Sequence, residues 1–222
     1  MQGSANLNIM MKAARKAARS LAKDFREVEN LQVTAKGPGD FVSRADLAAE
    51  AILKEELLGA RPNYGWLAEE GDEVDGADPT RRWIVDPLDG TTNYLHGMPH
   101  WAISIAREHK GEVIGLPFGP RPYLPAALQD LARLLPQCSG VRRWGVASLD
   151  LAYVAAGRFD GYWERGVKVW DIAAGLVLVR EAGGFVEPVL QGASIFESGG
   201  LIAGNNALFE DFRETIRDRP AA

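Results

Sequence analysis

The chain has 222 residues, 46% hydrophobic and 25% charged, which is the balance of a globular protein and not of a disordered chain. It carries 25 Lys and Arg against 30 Asp and Glu, so its net charge of −5 does not indicate a nucleic-acid-binding protein. A single cysteine excludes an internal disulfide, and no apolar run is long enough to span a membrane. These features predict a cytoplasmic protein that binds neither membranes nor nucleic acids.

The N-terminal part of the sequence predicts two helices. Apolar residues at helical spacing predict the first over residues 7–26, with basic residues between them. Those basic residues could contact phosphates or lipid, but a solvated helix face is the stronger interpretation. Glycine and proline at 37–39 break the pattern, and a second helix is predicted over 45–58. Ser43 and Asp46 form the S-x-x-D pattern of a capping box at its start.

Beyond residue 64, short strands and helices alternate, which predicts a mixed α/β or α+β class. The residues at 86–93 have the composition of a turn, and four prolines at 117–125 predict a loop. Strands are predicted over residues 64–68, 82–86, 101–106 and 159–164. Further helices are predicted over residues 126–135, 147–156, 171–183 and 207–217.

Carboxylates stand at the ends of several of these predicted elements. Glu69 and Glu70 end one strand, Asp86 ends another, Asp89 follows in the turn, and Asp171 begins a helix. Each alone has an ordinary explanation, as part of an acidic loop, a turn residue or a helix N-cap. Taken together they suggest a shared site, because nothing else obviously requires so many carboxylates at element ends.

The segment Asp86-Pro87-Leu88-Asp89 gives this site its chemistry. Proline stiffens the chain, so that two carboxylates and the Leu88 carbonyl could converge on one point. Such oxygen ligands are preferred by hard divalent cations such as Mg²⁺. Two such ions could hold a phosphate ester and activate a water molecule for attack.

Two long motifs resemble those of the inositol monophosphatase family. Residues 83–93 (WIVDPLDGTTN) resemble its first signature, and residues 170–175 (WDIAAG), running on to 181–184 (EAGG), resemble the second. Residues 68–70 (AEE) are similar to its G-E-E step, with Ala68 where glycine is usual. Residues 141–164 most resemble the bacterial inositol-1-phosphatase branch. The resemblance implies the layered αβαβα sandwich of lithium-sensitive sugar phosphatases.

The resemblance also implies two or three Mg²⁺ ions and their ligands. Glu69, Asp86 and the Leu88 carbonyl would hold the first ion, and Asp86, Asp89 and Asp171 the second. A weaker third ion would share Glu69.

The catalytic residues implied by the resemblance are Thr91, Asp46 and Glu69. Thr91, with Asp46 behind it, would orient the attacking water. For Asp46, helix capping is an equally good explanation, and one side chain can do both; for Glu164, the alternative is a solvated strand end. The implied substrate-binding residues are Asp89, Gly90, Thr91, Gly145, Ala147, Glu164 and Asp171.

The activity implied is Mg²⁺-dependent hydrolysis of a phosphate monoester, with myo-inositol 1-phosphate the favoured substrate, and the expected assembly is a homodimer. Fructose 1,6-bisphosphate, 3′-phosphoadenosine phosphates and histidinol phosphate remain alternative substrates, because the metal motifs do not separate them. A weakly catalytic regulatory binding protein is a further alternative, since some bacterial relatives act with the transcription machinery.

The sequence departs from the family after about Gly115. The residues that follow resemble a point several dozen positions further along the family pattern, so strands of the first sheet and part of the dimer contact would be missing. We therefore expect a single domain over residues 1–222, with an N-terminal half (1–115) whose first sheet is truncated and a C-terminal half (116–222).

Overall fold

The computed structural model describes residues 5–27, 33–37, 40–109 and 124–217. The chain divides into two compact units, Met1–Glu112 and Val113–Ala222. Each unit combines helices with small sheets, which confirms the α+β class. The grouping of both halves into one domain stays a prediction. Within the described ranges, no helix combines the length and the apolar character that crossing a membrane requires.

The first unit contains three helices and five strands among its described residues. They are α1 (Ala5–Phe25), β1 (Val33–Gly37), β2 (Asp40–Ser43), α2 (Arg44–Ala60), β3 (Gly65–Ala68), β4 (Arg81–Asp89), α3 (Thr91–Leu95) and β5 (Ala102–His109). Strands β1 and β2 form an antiparallel hairpin. The described part of the main sheet has the order β3-β4-β5, with β3 parallel and β5 antiparallel to β4. The expected truncation of this sheet stays a prediction, because the residues that follow β5 lie outside the described residues.

Helices α1 and α2 form where apolar periodicity predicts them, because small and aliphatic side chains line one face of each. The buried residues of that interface are Ala13, Ala17, Leu21, Ala45, Ala49, Leu53 and Leu57. At the start of α2, the Ala45 N–H donates to Ser43 Oγ at 3.1 Å, and the Ser43 N–H donates to Asp46 Oδ2 at 3.0 Å. The predicted capping box is therefore present.

Strand β4 runs further than predicted. The turn expected from residue 86 begins only after Asp89, and α3 follows directly, where the sequence predicts only a turn. Asp86 pairs with Ser104 and Asp89 with Ala102, so β4 carries one more residue than β5 between these pairs. This bulge lies at Pro87, which has no N–H for the ladder. Because residues 102 and 104 share a face of β5, the bulge brings Asp86 and Asp89 to one face of the sheet.

The second unit contains five helices and three strands among its described residues. They are α4 (Leu124–Leu134), α5 (Ala147–Ala155), β6 (Gly161–Arg165), α6 (Val169–Glu181), β7 (Phe185–Pro188), α7 (Ile195–Ser198), β8 (Gly200–Gly204) and α8 (Phe209–Ile216). The sheet order is β6-β8-β7, with both pairs antiparallel.

A close helix pair and a buried ion pair hold the second unit together. A Cβ atom at Gly175 of α6 would lie 2.5 Å from the Leu151 side chain of α5, so the glycine allows these helices to approach. Arg165 of β6 donates to both carboxylate oxygens of Asp130 of α4, at 2.6 and 3.0 Å. The predicted helices of this half agree with α4, α5, α6 and α8 to within two residues at each end. Of the predicted proline-rich loop, residues 117–123 lie outside the described residues, and Pro125 lies in α4.

Candidate active site

The bulge and the turn after β4 concentrate buried polar groups in a short segment. Asp86 is 2% exposed, Asp89 is 8% exposed, and the intervening Leu88 is also buried. The Leu88 N–H donates to Asp86 Oδ1 at 2.9 Å, closing a small turn around Pro87. The segment thus holds two carboxylates and a main-chain carbonyl within four residues.

Helix α3 is anchored immediately behind this segment. Gly90 has a φ of 96°, a left-handed conformation that lets the chain turn sharply from β4 into α3. The Tyr94 hydroxyl donates to the Leu21 carbonyl at 2.6 Å, and the Tyr94 ring packs on Phe25 and Trp101. Burial raises the pKa of Tyr94 above its usual range, so the phenol stays protonated as a donor.

Asp46 and Thr91 join α2 to the start of α3. Thr91 Oγ1 lies 3.0 Å from Asp46 Oδ1 and 3.0 Å from the Leu88 carbonyl oxygen, so its proton can be donated to either acceptor. The other Asp46 oxygen, Oδ2, accepts from the Ser43 N–H and Ser43 Oγ. Asp46 is fully buried. The two explanations of Asp46, a helix cap and a partner of Thr91, are therefore both realised in one carboxylate.

Parallel pairing of β3 with β4 brings the upstream carboxylates to the same edge of the sheet. Ala68 pairs with Val85, so Glu69 and Asp86 are the next residues along their respective strands. Beyond β3 the chain turns, and the Glu70 N–H donates to Glu50 Oε2 of α2 at 3.0 Å. Asp46, Glu69, Asp86, Asp89 and Thr91 thus belong to adjoining elements of the first unit.

Asp171 lies in the first turn of α6, in the second unit. Its Oδ2 accepts from the Lys168 N–H at 2.7 Å, as in a capping box. The residue at the N-cap position is Lys168, so the interpretation of Asp171 as the N-cap itself is wrong by three positions.

Glu164 is held by two neighbours in the second unit. Its Oε1 accepts from Arg143 Nη2 at 2.8 Å, and its Oε2 accepts from the Tyr162 hydroxyl at 2.5 Å. These two hydrogen bonds fix the Glu164 side chain at the end of β6, so Glu164 is not a freely solvated strand end.

Gly145 has a φ of 71° and leads into α5, whose first residue is Ala147. Both predicted residues therefore lie at the helix N-terminus, where main-chain N–H groups lack partners within the helix.

The donor chemistry of residues 86–91 fits a hard divalent cation, since it consists of carboxylate, carbonyl and hydroxyl oxygens. Among the described residues, however, no group of three or more His, Cys, Asp or Glu side chains is arranged to hold a metal ion. The ligand set of Glu69, Asp86, Leu88, Asp89 and Asp171 thus stays a prediction.

Glu50 is a residue of this region that the sequence reasoning missed. It lies four positions after Asp46 on α2, is buried, and accepts the hydrogen bond from the Glu70 N–H. The available signal was the i, i+4 spacing of two carboxylates on one face of a helix with an otherwise apolar buried side.

Comparison with known proteins shows similarity over nearly the whole chain. The chain is 46% identical to an inositol-1-monophosphatase of Rhizobium meliloti (strain 1021), over 98% of both chains. It is 34% identical to the Nus factor SuhB of Escherichia coli (strain K12), over 96% of both chains. Among solved structures, the extragenic suppressor protein suhB from Bartonella henselae is 41% identical, covers 98% of this chain and 100% of its own, and superposes with a TM-score of 0.90.

The comparisons also bear on the missing segment and on the family. The alignment with the Rhizobium meliloti protein has 260 positions, whereas this chain has 222 residues, so at least 38 positions are gaps in this chain. A model of the inositol monophosphatase family matches residues 4–123 and 120–220. The two matches meet at residues 120–123, a few positions after the break expected near Gly115. Together these matches cover nearly all of the sequence, and the chain belongs to the inositol monophosphatase family.

Proposed function

We propose that this chain is a Mg²⁺-dependent phosphate monoester hydrolase whose substrate is myo-inositol 1-phosphate. The observation that carries the proposal is the Thr91 hydroxyl, which lies 3.0 Å from a buried Asp46 carboxylate oxygen, beside the carboxylates of Asp86 and Asp89. The name of the Rhizobium meliloti relative supports the choice of inositol monophosphate as substrate.

Five residues would hold the metal ions. They are Glu69, Asp86, Leu88 through its carbonyl, Asp89 and Asp171. When bound, Mg²⁺ would neutralise charge on the phosphate and lower the pKa of the attacking water.

Asp46 and Thr91 would accept and relay the proton of the attacking water. Thr91 Oγ1 would accept that proton while donating its own to Asp46 Oδ1, 3.0 Å away. Because Oδ2 of Asp46 is already engaged by Ser43, the carboxylate is held in one orientation toward Thr91. The Gly90 and Thr91 N–H groups would face the phosphate oxygens.

Residues of the second unit would recognise the inositol hydroxyls. Gly145, Ala147, Glu164 and Asp171 would contact the ring or the leaving oxygen. Glu164 is suited to accept hydrogen bonds from hydroxyls, and its hydrogen bonds from Tyr162 and Arg143 keep its carboxylate in one rotamer.

The test is phosphate release from purified protein with millimolar Mg²⁺. Myo-inositol 1-phosphate is compared with fructose 1,6-bisphosphate, 3′-phosphoadenosine phosphate and histidinol phosphate, each with EDTA and Li⁺ controls. We expect the highest kcat/KM for the inositol ester, with turnover abolished by EDTA or by Asp89→Asn. A higher kcat/KM for another ester would contradict the substrate, and EDTA-resistant turnover would contradict the metal.

A binding role is a second candidate, because one relative is named a Nus factor. Its test is binding of the Asp89→Asn variant to purified transcription complexes. If the Asp89→Asn variant binds these complexes but does not hydrolyse phosphate esters, the binding role does not depend on catalysis. The homodimer and the cytoplasmic location stay predictions.

A further inference from the structure

Helix α2 directs two buried carboxylates at two different segments of the first unit. Asp46 Oδ1 accepts from Thr91, which follows β4, and Glu50 Oε2 accepts from the Glu70 N–H, which follows β3. The two residues are four positions apart, so they lie on the same face of the helix. Glu50 is only 6% exposed, although a buried carboxylate is costly unless it is hydrogen-bonded.

Gly71 provides independent evidence that Glu50 and the segment after β3 fit closely together. A Cβ atom at Gly71 would lie 2.3 Å from Glu50 Oε1, so close that one of the two groups would have to shift. Gly71 has no left-handed φ that would itself require glycine. A side chain at this position would therefore displace the Glu50 carboxylate from its place beside residues 69–71.

We propose that Glu50 is a positioning residue that holds residues 69–71 in place and thereby sets the affinity of the site for Mg²⁺. The proposal rests on the proposed function, in which Glu69 is a metal ligand. Glu50 binds the main chain one residue beyond Glu69, so its loss frees the ligand to move away from Asp86. Loss of partners that orient metal ligands typically weakens metal affinity by about 10- to 100-fold.

The test compares Glu50→Ala with Glu50→Gln and with a matched control, Glu55→Ala. Glu55 lies on the same helix, but its side chain is 73% exposed and pairs with Lys16. Mg²⁺ binding is measured by calorimetry on the full chain, and the Mg²⁺ dependence of phosphate release is measured in parallel.

We expect Glu50→Ala to weaken Mg²⁺ binding by about 10- to 100-fold, with turnover largely restored at saturating Mg²⁺. Glutamine keeps an acceptor oxygen for the Glu70 N–H, so Glu50→Gln should retain most of the affinity. If Glu50 had a purely structural role, Glu50→Ala would lower the melting temperature and leave the Mg²⁺ affinity unchanged. The control, Glu55→Ala, should also leave the Mg²⁺ affinity unchanged.

Gly71→Ala tests the contact between Glu50 and residues 69–71 without changing Glu50 itself. This variant can be measured even if Glu50→Ala fails to fold. The added methyl group should displace Glu50 and weaken Mg²⁺ binding, whereas the same change in a Glu50→Ala background should add little. Unchanged Mg²⁺ affinity in folded Glu50→Ala would overturn the proposal, as would additive effects in the double variant. If Glu50→Ala does not fold, unchanged Mg²⁺ affinity in Gly71→Ala would overturn it.

The two proposals fail in different ways. If the unaltered protein binds Mg²⁺ but hydrolyses none of the esters, the proposed function is wrong. The Mg²⁺ affinities of the Glu50 variants would then still test the positioning role of Glu50. Unaltered protein that binds no Mg²⁺ overturns both.

Discussion

Replacing Asp46 with asparagine should separate its helix-capping role from its role beside Thr91. The carboxylate accepts hydrogen bonds from Thr91 Oγ1, the Ser43 N–H and Ser43 Oγ. An amide can keep its oxygen toward the Ser43 N–H and turn its NH₂ toward Thr91 Oγ1. The Thr91 hydroxyl can then donate to the Leu88 carbonyl oxygen, 3.0 Å away. Every polar group therefore keeps a partner, so the variant should fold.

The stability cost follows from the loss of charge in these hydrogen bonds. Hydrogen bonds to a charged group are about twice as strong as neutral ones, which contribute about 1 kcal/mol each. Weakening three such bonds would cost about 3 kcal/mol. The lower cost of burying a neutral amide in place of a carboxylate offsets part of this loss, so we expect the free energy of unfolding to fall by about 1–2 kcal/mol.

The effect on turnover should be much larger, because an amide cannot accept the proton passed by Thr91. General base catalysis typically contributes about 10²- to 10⁴-fold, and we expect kcat to fall by that factor. Initial rates of phosphate release and thermal melting by circular dichroism measure the two effects. Ser43→Ala is the matched control, since it removes the side-chain cap, at about 1 kcal/mol, but keeps the main-chain N–H that donates to Asp46 Oδ2. Its kcat should therefore fall by much less than that of Asp46→Asn. A folded Asp46→Asn variant with kcat within about threefold of the unaltered protein would refute this reasoning.

Three further changes test other features of the structure. Gly90→Ala places a side chain at a left-handed φ of 96°. The free energy of unfolding should therefore fall by about 1–2 kcal/mol, and kcat should fall with it. An unchanged melting temperature would contradict this prediction. Arg165→Ala removes the close partner of the buried Asp130 carboxylate and leaves it only Arg133, at 4.0 Å. Urea unfolding should show a loss of up to about 3–5 kcal/mol, whereas a loss below about 1 kcal/mol would indicate a solvated pair. Hydrogen bonds from two α1 lysines, chiefly Lys12, lower the pKa of Glu56 from 4.5 to about 2. The stabilisation by the charged Glu56 carboxylate is fully present above pH 4.5 and is lost as the pH falls toward 2. Glu56→Gln has no carboxylate to protonate, so its melting temperature should fall less over this pH range than that of the unaltered protein.

Helices α1 and α2 could be predicted because their signals are local. Their apolar residues recur at helical spacing, and Ser43 with Asp46 marks the start of α2 within four residues. The β1–β2 hairpin was missed, since pairing between strands depends on residues that the local pattern does not connect. The same reason explains β4, whose last residues have turn composition but are kept extended by pairing with β5.

The sequence by itself determined the family and the identity of the candidate residues, because the motif at 83–93 is contiguous and its chemistry can be recognised without a fold. Only the tertiary structure decided what Asp46 and Glu50 contact. Their partners, Thr91 and Glu70, lie 45 and 20 residues away along the chain, and they meet because α2 packs beside β3 and β4. A carboxylate has two oxygens that accept in different directions, so the capping pattern could not reveal a second partner of Asp46. The folded arrangement shows that one oxygen caps α2 while the other accepts from Thr91.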